Sequence, residues 1–413
     1  MRKLWIAAAV GAVWAGGALA QGADKPAAPA AAGGISDGVV KVGVLNDQSG
    51  LYADLSGPGS VLAAKMAVED FGGTVLGKPI EIVAGDHQNK PDVGSAIARK
   101  WIDVDKVDAI ADVPSSATAL GVLSVTRDRN RMLLLSGPAL SDFTGKLCAP
   151  TTIHWTYDSY AMANGTARAL IKQGGDSWFF ITADNAGSHS QEKDAVRFVE
   201  QGGGKVAGAV RHPLNTLDFS SFLLQAQASK AKVIGLANAG GDTVNAIKQA
   251  KEFGITPGQT LAGLLMFITD VHAIGLTDAQ GLVITESFYW NLDDKTRDWS
   301  RRFMARHGGK APTADQAGVY GAVLHYLKAV QAAGTDESLA VAAKMKELPV
   351  NDFWSDNYKI RQDGRLVRDM YLLKVKSPAE SKEPWDYYSV LARIPGDEAY
   401  RPMAEGGCPL VKS

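Results

Sequence analysis

From Val39 onward, short apolar runs alternate with stretches of helical spacing, and this alternation restricts the possible folds more than any other feature of the chain. VVKVGVL (39–45) is apolar and rich in β-branched residues, the pattern of a strand buried on both faces. Val61, Ala64, Lys65, Val68 and Phe71 then recur at three-to-four spacing up to Gly72-Gly73, which predicts a helix with a glycine stop. PIEIVAG (79–85), a helix over 91–103, DAIAD (108–112), a helix from Ser116 to Arg127 and MLLLSG (132–137) come after it. This order predicts a parallel sheet covered by helices on both faces.

The pattern then restarts. A helix over 160–172 leads into WFFIT (178–182), a helix over 189–201, KVAGAV (205–210), a helix near 219–229 and KVIGLAN (232–238). A helix over 242–253 and the strands LAGLL (261–265) and LVITES (282–287) complete the second set. Two consecutive units of similar size predict an α/β protein made of two doubly wound parallel-sheet lobes. Helices over 294–307 and 313–333 come next, and YKIRQDGRLVRDMYLLKV (358–375) reads as a hairpin turning at Asp363-Gly364. The last segment, 376–413, carries Pro and Gly throughout and predicts a path over the surface.

The first residues read as an address. Arg2 and Lys3 precede an apolar run from Leu4 to Val13, and Ala18-Leu19-Ala20 supplies a small-x-small cleavage pattern, so 1–20 is expected to be an export signal. The run is shorter than the roughly 20 apolar residues that a membrane span needs. Cleavage leaves Gln21, where a lipid anchor requires cysteine, so the expectation is an unanchored, soluble protein of the periplasm. Residues 21–38, mostly Ala, Pro and Gly, are expected to be a flexible lead-in. The formal charge is −1, and removing Arg2 and Lys3 makes it −3. That balance argues against nucleic acid as a partner, and no polybasic block suggests a membrane surface. Cys148 and Cys408 are the only cysteines. In an oxidising compartment a disulfide clipping the tail to mid-chain is expected, the alternative being two buried free thiols. Neither has a histidine or cysteine at ligand spacing, which argues against a metal site.

Catalytic signatures are missing. There is no phosphate-cradling G-x-x-x-x-G-K-[ST] loop and no H-E-x-x-H pair, and the G-x-S-x-G match at Gly34 to Gly38 precedes the first strand, so it is no strand-to-helix elbow. Gly57-Pro58-Gly59 begins a dinucleotide-like pattern, but Leu62 stands where its third glycine belongs. Open α/β sheets bind ligands at the carboxyl ends of their strands, and those ends carry small and hydroxylated residues here. In the first half they are Asn46 to Tyr52, Val113 to Thr118 with Ser115 and Ser116, and Ser136 to Ser141. A helix start beside such loops favours a negative group. Ser115 or Ser116 could equally cap that helix. In the second half the strand ends offer Thr156 to Asp158, Ala183 to Ser188 with Asn185, and Asn238 to Asp242. Glu286 and Tyr289 belong to an aromatic cluster beside a carboxylate near the expected crossover.

VVKVGVLNDQSGLYADLSGPGSVLAAKMAVEDFGG and PIEIVAGDHQNKPDVGSAIARKWI, followed in order by VPSSATALGV, SGPALSDFTG, HWTYDSYAMANG, ANAGGDTVNAIKQAKEFGI and the DG hairpin, resemble the leucine/isoleucine/valine-binding type of periplasmic solute-binding protein. The resemblance covers residues 39–375. It implies the type I periplasmic binding-protein topology, with three hinge crossings near 152, 286 and 350. Lobe 1 is then 39–152 plus 287–350, lobe 2 is 153–286 plus 351–395, and 396–413 is the clipped tail. It implies no cofactor and no catalysis, a monomer, a small solute, and an ABC permease in the inner membrane as partner; a sensor of the same fold is the alternative, and an enzyme a more distant one. By resemblance the Ser115-Ser116 loop and Ala139, Leu140 and Ser141 hold a ligand carboxylate. Tyr52 and Tyr157 wall its apolar part, and Asn238, Gly240 and Asp242 contribute from lobe 2. Two departures matter. Asn185 stands where relatives commonly carry an aromatic. After the last core strand of lobe 2, where amino-acid binders place an acid for the ligand ammonium, the chain reads Leu264 to Thr269, with its first acid at Asp270. A buried ammonium without a carboxylate is unfavourable by several kcal/mol, as an order of magnitude. A hydrophobic or aromatic carboxylate is therefore expected at least as much as an α-amino acid, unless Glu286 or Asp242 points into the cleft.

Overall fold

The computed structural model describes residues 33–256 and 258–412. The expected export signal over 1–20 and residues 21–32 of the lead-in lie outside them. Residues 34–36, expected to be flexible, are tied down: the Gly34 N–H donates to the Gly334 carbonyl at 2.7 Å, and the Ser36 hydroxyl donates to Asp336 at 2.8 Å.

The first half builds a six-stranded sheet from β1 (Val40–Asn46), β2 (Thr74–Val75), β3 (Lys78–Asp86), β4 (Ala109–Asp112), β5 (Met132–Leu135) and β6 (Thr152–His154), in the order β2-β3-β1-β4-β5-β6. All neighbours are parallel except the short β2–β3 edge pair. Helices α1 (Gly57–Phe71), α2 (Pro91–Asp103) and α3 (Ser116–Asp128) make the crossovers. Trp101 of α2 lies flat on the sheet because Gly43 and Gly85 leave room for its ring, a Cβ at Gly43 falling 2.4 Å from it. The Gly57-Pro58-Gly59 sequence opens α1 and serves helix packing: a Cβ at Gly59 would lie 2.2 Å from the Gln316 amide.

After α4 (Ser159–Lys172), β7 (Ser177–Ala183), α5 (Ala186–Gln201), β8 (Lys205–His212), α6 (Ser220–Ala228), β9 (Val233–Ala237), α7 (Gly241–Glu252) and β10 (Thr260–Gly263) build a four-stranded parallel sheet in the order β10-β9-β7-β8. Two short helices, α8 (Ile268–Ile274) and α9 (Leu276–Ala279), come next. The strand order reverses between β1 and β4 in the first sheet and between β7 and β9 in the second. Such reversal points open a crevice between adjacent loops.

Three expectations are corrected. LVITES forms β11 (Val283–Glu286), which does not join the second parallel sheet. It pairs antiparallel with β14 (Met370–Val375). The 358–375 stretch is not one hairpin: β12 (Lys359–Ile360) and β13 (Leu366–Val367) close a short one, and β14 leaves it to pair elsewhere. The tail contains a strand, β15 (Tyr388–Ile394), on the other side of β14. Helices α10 (Asp294–Arg306), α11 (Ala314–Ala333) and α12 (Ser338–Glu347) precede this small sheet, and α13 (Gly396–Ala399) succeeds it. Helix α11 is buried over most of its length, packing on α1. Cys148 and Cys408 form the expected disulfide, their Cα atoms 5.7 Å apart. Among the described residues no helix is long and apolar enough to cross a membrane, and no cluster of histidine, cysteine or acidic side chains has the grouping of a metal site.

Candidate functional site

The carboxyl ends of the parallel strands from both sheets converge on one cavity. Tyr52 and Leu55 reach it after β1, Pro114, Ser115 and Ser116 after β4, Gly137 and Ala139 after β5, and Tyr157 after β6. From the second sheet come Asn185, Gly187, Ser188 and Gln191 after β7, Leu214 after β8, Ala239 after β9, and Leu265 and Phe267 after β10. Atom-free space in and around the cavity is about 440 Å³, counting the part that opens to solvent. The volume in which the centre of a water molecule can move is only about 30 Å³. The walls therefore lie close together, and the contacts across them explain why. A Cβ at Gly187 would come within 2.7 Å of the Ser116 Oγ, and one at Gly240 within 2.5 Å of the Leu51 carbonyl.

Helix α3 points its N-terminus into this space. Ser115 is its N-cap, with Oγ accepting from the Thr118 N–H at 3.4 Å. The two hydroxyls thereby separate: Ser115 caps, while Ser116, the first helical residue, makes no side-chain hydrogen bond among the described residues. The Ser116 and Ala117 N–H groups likewise find no acceptor there. Across the cavity α5 also begins, capped by Asn185, whose Oδ1 accepts from the Ser188 N–H at 3.0 Å and whose Nδ2 donates to the Ser188 Oγ at 3.0 Å. Two helix N-termini facing one small space favour a bound anion through their unpaired N–H groups and dipoles.

Tyr157 is held at both ends. Its hydroxyl donates to the Gly137 carbonyl at 2.8 Å, and its own carbonyl accepts from Arg365, which also pairs with Asp158 at 3.1 Å. Its ring packs on Phe267 with centroids 5.6 Å apart, making an apolar wall with Leu55, Leu214 and Leu265. Tyr52 is fixed through Asp47, which accepts from the Gly50 N–H at 2.8 Å and the Tyr52 N–H at 2.9 Å.

Among the described residues no lysine, arginine, histidine, aspartate or glutamate lines the cavity. The acids nearby serve other partners. Asp270 accepts from the Phe267 N–H at 2.9 Å, and burial pushes its carboxyl up to about 7. Asp242 accepts from the Asn215 and Thr216 N–H groups, pinning the loop that carries Leu214, and burial pushes it up to about 6. Glu286 accepts from the Tyr388 hydroxyl at 2.9 Å inside the small antiparallel sheet, and burial, reinforced by Asp270, raises it well above the usual carboxylate range.

Tyr52, Ser115, Ser116, Ala139, Tyr157 and Asn185, all singled out from the sequence, line the cavity together; Leu140, Ser141, Asn238, Gly240, Asp242, Glu286 and Tyr289 do not. Leu140 is half-buried against the second hydrophobic cluster. Ser141 donates to Asp194 at 3.1 Å and sits beside Ser190, joining its loop to α5. Asn238 is buried between His212 and Thr243. Gly240 supports the back of the Leu51-Tyr52 loop, and Tyr289 bonds Asp386 at 3.3 Å. Leu55, Gln191 and Leu214 were not anticipated. Leu214 lies just past a strand end and could have been found by that rule, whereas Gln191, one helical turn beyond Gly187, required the orientation of α5.

A buried acid pair lies beneath the first-sheet loops. Asp112, at the end of β4, accepts from Asn46 at 2.8 Å and faces Asp315 at the start of α11. Burial pushes Asp112 up to about 6, and burial together with the Asp112 charge raises Asp315 well above the carboxylate range. Asp112 and Val113 both adopt positive φ, +83° and +54°, immediately before Pro114 and Ser115. Non-glycine residues held this way are strained and persist only where the surroundings enforce them.

The sequence pattern of the family described as periplasmic binding protein matches residues 39–382. A periplasmic binding protein from Burkholderia mallei, solved by crystallography, is 51% identical, covers 91% of this chain and 100% of its own, and superposes with a TM-score of 0.89. A branched chain amino acid ABC transporter periplasmic ligand-binding protein from Burkholderia xenovorans LB400 is 40% identical over 90% of this chain and 99% of its own, with a TM-score of 0.80. A solute-binding protein of an ABC transporter from R. palustris, in complex with benzoate, shares the fold at 20% identity, covering 90% of this chain and 100% of its own with a TM-score of 0.80.

Proposed function

The chain belongs to the periplasmic binding protein family of ABC transporters, with the type I fold, and on that premise we propose that it captures a small hydrophobic or aromatic carboxylate between its two sheets and delivers it to an inner-membrane permease. Proteins of this family bind substrates for transport and are not enzymes. One observation carries the reading: two helix N-termini and the free Ser116 hydroxyl meet in a cavity that no charged side chain lines among the described residues. Such a site stabilises a carboxylate through neutral donors and offers no carboxylate to balance a buried ammonium. The apolar wall of Leu55, Leu214, Leu265, Phe267 and Tyr157 suits the remainder of the solute. A neighbour of the same fold holds benzoate, an aromatic carboxylate, which supports this choice of solute class.

The mechanism is a closure. The solute's carboxylate first meets the α3 N-terminus, and α5 then closes over it by hinge motion, Gly187 coming against Ser116. Closure excludes water, which strengthens each polar contact and buries the apolar part. In this reading the permease recognises the closed form. Thermal shift on the mature protein with benzoate, cinnamate, leucine and valine tests the solute class, a ligand at 100 times its Kd adding about 2.7 kcal/mol. Stabilisation by the aromatic acids is expected. Stabilisation by leucine or valine with none from either acid overturns the proposal.

A further inference from the structure

Among the polar side chains that line the cavity, those of Tyr52, Ser116 and Gln191 make no hydrogen bond among the described residues, and Gln191 is the one that a simple carboxylate leaves partly unsatisfied. Ser115 caps α3, Asn185 and Ser188 bond each other, and Tyr157 bonds Gly137. Gln191 is 3% exposed, lines the cavity from α5, and makes no hydrogen bond among the described residues; its Oε1 is fully buried without a partner. Buried amide oxygens are nearly always paired, so an unpaired one on a residue that lines a cavity marks a group to be supplied from outside. Both ends of the amide are left over: Nε2 can meet an acceptor, but the buried oxygen needs a donor. A carboxylate offers only acceptors, so it can pair with the N–H and O–H donors of α3 but cannot satisfy the Gln191 oxygen.

Resting on the carboxylate reading above, we propose that Gln191 is a specificity-determining residue and that the transported acid carries a second group, an uncharged hydroxyl, whose proton is donated to the Gln191 amide oxygen. An ammonium in that role is disfavoured because no carboxylate among the described residues lines the cavity to balance its charge. The solute class narrows to hydroxylated apolar acids, in which one end meets the α3 N-terminus and the hydroxyl meets α5. The hydroxyl then joins the two halves of the site, since α3 and α5 belong to different sheets.

The experiment uses the mature protein and two probe pairs, each differing by one polar group: benzoate with 4-hydroxybenzoate, and 4-methylpentanoate with 2-hydroxy-4-methylpentanoate. Calorimetric titration is expected to show at least one hydroxylated member bound about five- to tenfold more tightly than its partner, the range one hydrogen bond supplies. In Gln191→Met, which keeps the length and removes the amide, the affinity ratio within each pair falls to about one, whatever the change in absolute affinity. Gln191→Ala serves as the second variant, with its unliganded melting curve reporting the fold. Acids that bind without any hydroxyl preference, or a preference that survives in both variants, overturn this inference and leave the carboxylate reading standing. If no acid of either pair binds the wild type, the carboxylate reading fails and this inference falls with it.

Discussion

Ser115 and Ser116 are chemically identical neighbours with different duties, and the backbone decides which does what. The N-cap position turns Ser115 back onto its own helix, leaving Ser116 to face the cavity. Ser116→Ala is therefore expected to weaken binding of the acid by about 1–2 kcal/mol, read by calorimetry, with unliganded stability unchanged. Ser115→Ala is expected to lower unfolding stability by about 1 kcal/mol in urea titration, the usual loss for a cap. The Asp112–Asp315 pair makes a pH prediction at the same scale. Both carboxyls hold their protons more tightly in the folded state, so the stability they contribute is complete below the ordinary carboxylate range and is lost as pH rises, through about 6 for Asp112 and above the ordinary carboxylate range for Asp315. Asp315→Asn removes one titrating site. Wild type measured against this variant should lose on the order of 1–3 kcal/mol between pH 5 and pH 8. Buried histidines such as His87, pushed down to about 4 by burial, act in the opposite direction and cancel in that comparison. The positions of Ser115 and Ser116 were legible from the strand-end rule, but the division of roles between them was not, because it depends on one φ/ψ pair.

At the level of elements, the site is made of the loops and helix starts at the carboxyl ends of the parallel strands, and strand ends are a local property of the sequence. Apolar runs and glycine stops located β1, β4, β5, β7 and β9 closely, and with them the loops that carry Tyr52, Ser116, Ala139, Asn185 and Ala239. Partner choice is not local. LVITES has the same apolar look in a parallel or an antiparallel sheet, and its pairing with Met370–Val375 is set by residues about ninety positions away. Gln191 escaped for a related reason: its distance from Gly187 is helical and obvious, but which face of α5 meets α3 is decided by packing. The contact between these helices yields a test with opposite signs. Gly187→Ala in the first turn of α5 favours the helix by up to about 1 kcal/mol, yet its Cβ would press on the Ser116 Oγ at 2.7 Å. Affinity for the acid is expected to fall by about 1–3 kcal/mol, a typical overpacking penalty, while unfolding stability holds or rises.

Across the whole molecule, the tail binds elements of both halves. The disulfide fixes Cys408 to Cys148, Arg401 donates to the Ser141 carbonyl at 2.9 Å, and Arg197 on α5 pairs with Glu405 at 2.7 Å. Asn164 on α4 donates to the Glu398 carbonyl at 2.6 Å. The bridge closes a loop spanning 260 positions. Cys408→Ser is expected to lower stability by about 2–5 kcal/mol in chemical denaturation under non-reducing conditions, with the ligand affinity little changed because no described tail residue lines the cavity. The close walls of that cavity also predict a shape change. Small-angle scattering should show the protein contracting when a bound acid is added, and an unchanged radius of gyration would count against hinge closure.

Composition and periodicity, readable along the chain, determined an α/β protein with its candidate loops at strand ends, while the binding-protein reading came from resemblance to a known family. They did so because burial patterns repeat every two or 3.6 residues and are written locally. Tertiary structure alone decided that β11 joins a separate antiparallel sheet, that Glu286 and Asp242 turn away from the cavity, and that Asp112 meets Asp315 across some two hundred residues. It also decided that Gln191 lines the cavity with its amide oxygen unpaired. These outcomes depend on which distant surfaces come into contact and which polar atoms that contact leaves without a partner, and neither quantity has a period in the sequence.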